Sequence, residues 1–77
     1  MNPELIILRN LERGNKGIMT VPVLWAEVSL DRSGMTFSEF KKCLAGLETS
    51  GEVLVVTNSD RETAKITDTG RLRLMES

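Results

Sequence analysis

Side chains able to do chemistry are few in this sequence, and they gather in two places. Thr36-Phe37-Ser38-Glu39 has the spacing of a capping box, in which the Thr36 hydroxyl and the Glu39 carboxylate reciprocally satisfy orphan N–H groups. Lys41 and Lys42 follow within a turn. A helix start of this kind presents free N–H groups and a partial positive charge, and the lysines add full charges. Thr36, Ser38, Lys41 and Lys42 are therefore placed to meet phosphate oxygens. Two lysines bring charge without the planar, bidentate geometry of arginine. The plain alternative is a solvated helix face on which Lys42 pairs with acidic neighbours. The second place is the polar run Asn58-Ser59-Asp60-Arg61-Glu62, with Lys65 just beyond it. Arg61 is the best single candidate there for a sugar-phosphate contact, although Asp60 and Glu62 flank it and would repel phosphate. A solvated loop is the other reading of that run.

Other chemistry is excluded by what the chain lacks. It has no histidine and one cysteine, so neither a zinc-type metal site nor Ser-His or Cys-His catalysis can be assembled. Gly14-Asn15-Lys16-Gly17 is not followed by Lys-Ser or Lys-Thr and is not a phosphate loop. No enzyme, cofactor or metal is expected. Cys43 follows two lysines, which would lower its pKa. In mid-helix beside Leu44 it also reads as a small buried hydrophobe. Trp25, the one tryptophan, is placed as a core anchor rather than a stacking platform.

The elements that position these groups follow from periodicity. Asn2 caps a first helix, residues 3–13, with Pro3 at its first position and Glu4 at the positive end of its dipole. Leu5, Leu8 and Leu11, joined by Ile7, make its apolar stripe, and the glycines of Gly14-Asn15-Lys16-Gly17 stop it. Ile6 falls on the opposite side, near Asn10 and Arg13. A short strand is expected at 18–21 and a second helix at 22–31, with Val21, Leu24, Trp25 and Val28 on one face. Asp31-Arg32-Ser33-Gly34 is a turn. The capped third helix, 37–50, carries Phe40, Leu44 and Leu47 inward. The period then changes to 2, giving strands at 52–57 and 63–67 that form an antiparallel hairpin. The tail, 68–75, is a short turn or helix that lays Leu72 and Met75 on the core.

That order of elements defines an α+β domain covering residues 1–77, and it resembles a winged helix-turn-helix: a three-helix core, a short first strand, a two-stranded wing and a C-terminal helix or turn. Leu44-Ala45-Gly46-Leu47-Glu48-Thr49-Ser50-Gly51-Glu52-Val53 is similar to the stretch that ends the recognition helix and enters the wing in many transcription regulators. Ile66-Thr67-Asp68-Thr69-Gly70-Arg71 is similar to the segment leaving the wing in MarR-like and PadR-like regulators. The likeness implies a non-catalytic regulator that contacts duplex DNA through Thr36, Ser38, Lys41, Lys42, Arg61 and Lys65. Two features depart from that pattern. Leu30 to Met35 is a long connection between the paired helices, and Phe37 stands where a small or polar residue is more usual.

Charge and composition bound the partners. Ten Lys and Arg against eleven Asp and Glu leave a net charge of −1, where nucleic-acid binders are usually basic. A protein-interaction module with the same fold is the alternative function. A homodimer is expected through the first helix or the tail, on the strength of outward Ile6 and of apolar residues on both faces of Val53 to Val56. One such domain alone also buries little surface on DNA. No apolar run approaches the ~20 residues of a membrane span. A start without basic residues and a lone cysteine point to the cytoplasm.

Overall fold

A computed structural model describes residues 2–31 and 34–76. Helix α1, Pro3–Glu12, begins where the Asn2 side chain accepts the Glu4 N–H at 2.9 Å, with proline in the first turn. Its chain reversal uses Lys16 at φ 57° and Gly17 at φ 71°, so the left-handed residues are the second pair of the Gly-Asn-Lys-Gly run. Strand β1, Ile18–Thr20, leads directly into α2, Val21–Leu30, which has Pro22 in its first turn. The expected turn after α2 falls partly outside the described residues, at Arg32 and Ser33. Helix α3, Phe37–Thr49, opens with the full capping box. Strands β2, Val53–Asn58, and β3, Arg61–Ile66, follow, and helix α4, Asp68–Glu76, is the last described element.

The described residues thus form an α+β fold with four helices and a three-stranded antiparallel sheet in the order β1-β3-β2. Register sorts the side chains by face. Met19, Ala64 and Val55 lie in one row toward the helices, and Ile18, Lys65 and Leu54 in the next row away from them. The core joins Ile7, Leu8 and Leu11 of α1 to Leu24 and Val28 of α2, Phe40, Leu44 and Leu47 of α3, and Val53, Ala64 and Ile66 of the sheet. Each large aliphatic side chain buried there contributes roughly 1.5–3 kcal/mol relative to an exposed position.

Three sequence expectations need correction. Ile6 is only 6% exposed and Asn10 only 3%, so α1 has no wet face on that side. The reason is that α1 is packed by α2, α3, α4 and β3 together, which is more cover than one stripe requires. Asn10 is satisfied there, with Nδ2 donating to the Ile6 carbonyl at 2.8 Å and to Asp31 Oδ2 at 3.1 Å. The tail is a helix, but Leu72 is 53% exposed and Met75 81%; Leu74 packs on the core instead. Guanidinium groups hold α4 in place of those two side chains. Arg73 donates to Glu4 and Glu52, each at 2.8 Å, and Arg71 Nε to Glu12 at 3.0 Å. The hairpin loop is also shorter than Asn58–Glu62. Asn58 pairs with Arg61, which leaves only Ser59 and Asp60 in the loop, with Ser59 at φ 58°. No helix among the described residues is long and apolar enough to cross a membrane.

Candidate functional site

The start of α3 and the free end of the β2–β3 hairpin lie next to each other, although they are far apart in sequence. At the helix start, the Thr36 hydroxyl accepts the Glu39 N–H at 3.1 Å, and Glu39 Oε1 accepts the Thr36 N–H at 2.9 Å. These hydrogen bonds, the one from the Thr36 backbone first, hold the Glu39 carboxyl below its ordinary pKa. Thr36 is therefore exposed but already engaged, whereas Ser38 is exposed on the first turn.

The hairpin end is set by strand alternation. Glu62 shares the helix-facing side of β3 with Ala64 and Ile66, and there Lys41 Nζ donates to Glu62 Oε1 at 3.3 Å. Lys65 falls on the opposite side of the strand, whereas Arg61, next to the turn, reaches the cleft between hairpin and helices; both are exposed. The Lys42 charge acts on Glu39 at longer range, while the close ion pair with a carboxylate is made by its neighbour, Lys41. Lys42, Arg61 and Lys65 make no ion pair among the described residues, while Lys41, Arg71 and Arg73 all do.

Between helix and hairpin lies an open cleft of about 470 Å³, lined by Trp25 from α2, Phe37 and Lys41 from α3, and Asp60 and Arg61 from the hairpin. The Trp25 and Phe37 rings meet edge to face, with centroids 5.5 Å apart and planes at 71°. Fully buried Phe40 lies under both, 5.2 Å from Trp25 and 6.1 Å from Phe37. Trp25 is accordingly both a partner of the core and a wall of the cleft. Its spacing with Val21, Leu24 and Val28 gave only the first of these roles. Glu62 was legible in principle, because running the two-residue period back from Ile66 brings it to the helix side.

Cys43 does not behave as a lysine-activated thiol. Partial burial, followed by the charges of Glu4 and Glu39, raises its pKa. Among the described residues no cluster of three or more His, Cys, Asp or Glu side chains is gathered as a metal site. Compared with known proteins, the chain gives no significant match to a family model, to a curated protein or to a solved structure.

Proposed function

We propose that the chain is a winged helix-turn-helix domain that binds duplex DNA as a transcription regulator in the cytoplasm. In this reading α3 enters the major groove and the β2–β3 hairpin is the wing. The observation that carries it is adjacency: the start of α3 and the hairpin end flank one cleft, and Lys42, Arg61 and Lys65, cations without an ion pair among the described residues, lie on these same two elements. A helix and a wing used together reach base edges and the phosphate backbone in one docking event.

Electrostatics set the scale of binding. With Lys41 engaged by Glu62, about three phosphate contacts remain, giving a log–log salt slope near −3 for a monomer and twice that for a dimer. Titration of duplex DNA at several salt concentrations measures this. Lys42→Ala combined with Arg61→Ala should weaken binding and flatten the slope by about two units per subunit, with little dependence on DNA sequence. Unchanged affinity in that variant, or no binding even at low salt, overturns the proposal.

A second reading, a non-catalytic protein-docking module, is favoured by one feature of α2. Val23 and Leu30 are exposed on the face away from the core. Burial of Ile6 removes one of the two grounds for self-association and leaves the apolar outer face of β2. Leu54, Val56 and Ile18 on the outer sheet face and Leu72 and Met75 on α4 are among the exposed apolar groups that could serve it. Molecular mass in solution distinguishes monomer from dimer.

A further inference from the structure

We infer that the cleft beside α3 takes an unpaired nucleobase, so that the chain prefers DNA carrying an extrahelical base within a duplex to fully paired DNA. This rests on the DNA-binding reading above and specifies what form of DNA the site recognises.

Three observations lead there. The first is Phe37, a large aromatic that is 51% exposed in the first turn of α3, where a groove-docked helix meets its target. Its neighbour Trp25 stands nearly perpendicular to it, and the buried Phe40 ring beneath fixes both. The two rings make an angled, pre-set step rather than a mobile side chain, and a pre-set surface loses little freedom on binding. A base in a duplex keeps its faces stacked on its neighbours, so only an unpaired one can use such a step.

The second is the balance of charge. Lys41 is drawn to Glu62, and Asp60 makes no ion pair among the described residues, so the cleft holds as many carboxylates as cations. A pocket built for phosphate alone would not carry two carboxylates. A neutral base presents amino groups on its Watson–Crick edge, and a free carboxylate accepts hydrogen bonds from them. Asp60 suits that edge, and Arg61, on the same cleft wall, suits the phosphate attached to the base.

The third is the shortage of cations over the rest of the surface offered to DNA. Few phosphate contacts leave affinity to be made up elsewhere, and base stacking is the term that does not need charge.

Trp25 is the sole tryptophan, so its fluorescence reports the cleft directly. The experiment titrates the protein with a fully paired duplex, with the same duplex carrying a single bulged guanine, and with a single bulged thymine. The bulged guanine should bind about tenfold more tightly than the paired duplex and quench Trp25. Thymine, which lacks an exocyclic amino group, should gain less. Phe37→Ala, and Phe37→Leu as a variant that keeps apolar packing without a stacking face, should both erase the preference, read as the ratio of bulged to paired affinity in the same variant. Asp60→Asn should narrow the gap between guanine and thymine. Equal affinity for paired and bulged duplexes, or a bulge preference that survives both Phe37 variants, overturns the inference and leaves DNA binding standing. Failure to bind all three overturns both.

Discussion

The Thr36 hydroxyl and the Glu39 carboxylate are each committed to the other's backbone N–H, which makes this pair a structural device before it is a contact surface. Thr36→Ala should therefore destabilise the fold by about 1 kcal/mol, visible in thermal unfolding. Glu39 and Asp31 both have carboxyl pKa values lowered in the folded chain. Glu39 is lowered chiefly by the Thr36 backbone hydrogen bond, and Asp31 chiefly by the Arg9 hydrogen bond and then that of Asn10. The unfolded chain then binds more protons in acid, so stability rises with pH through that window. The contribution is complete above the ordinary carboxyl range and is lost as pH falls below about 4. Without histidine, unfolding measured between about pH 6 and 8 should show no comparable step. Gly70 is a different kind of residue-level constraint. An added Cβ would collide with the Glu52 carbonyl oxygen and lie 2.9 Å from Ile66 Cγ1. Glycine to alanine normally favours a helix by about 1 kcal/mol. Here Gly70→Ala should instead cost about 1–3 kcal/mol by overpacking, and a raised melting temperature would contradict the placement of α4.

At the scale of elements, sequence pattern and structure agree where one partner surface decides burial. Phe40, Leu44 and Leu47 sit at helical spacing on the inward face of α3, and all three are buried. Capping chemistry marked the start of α3 because the signal is local and needs no tertiary partner. Pattern fails where an element has several neighbours or is held by charge. Ile6 lies off the main stripe of α1, yet α4 and the sheet add cover that a single-face reading does not anticipate. In α4 the apolar residues Leu72 and Met75 drew attention, whereas the attachment runs through Arg71, Arg73 and Leu74. Hydrogen-bonded Glu4 and then Glu52 raise the Arg73 pKa, so its charge is constant at any working pH. Arg73→Gln should loosen α4 more than the core. Partly exposed ion pairs are worth little, so the loss in global stability should be about 1 kcal/mol or less. Amide exchange should quicken in residues 68–76 first, and high salt should act on wild type in the same direction. The cleft was the least legible feature. Its walls come from α2, α3 and the hairpin, and no single segment's period encodes their meeting.

For the whole molecule, the quantity that decides the proposed DNA-binding function is how many positive charges remain once internal pairing is complete. A net charge of −1 gives no general attraction to a polyanion, so each unpaired cation matters. Glu62→Gln is the sharpest probe of that balance. It leaves the shape of the cleft while freeing Lys41, so duplex affinity should rise and the salt slope steepen by about one unit per subunit. Adding Lys41→Ala should return the slope to its original value. If Glu62→Gln changes neither quantity, Lys41 is not near phosphate and the DNA docking face is elsewhere. The same Lys41–Glu62 contact has a mechanical side. β3 is pinned over Thr63–Lys65 by its pairing with β1 and by Ala64 and Ile66 in the core, so only the end of the hairpin beyond Thr63 projects as an arm, and the Lys41–Glu62 ion pair is a strut from it to α3. A phosphate that captures Lys41 removes the strut and lets the arm swing, while a carboxylate left at Glu62 pushes it off the same phosphate. Docking on that side would therefore change the pitch of the hairpin tip alone, while the sheet behind it stays where its pairing with β1 holds it.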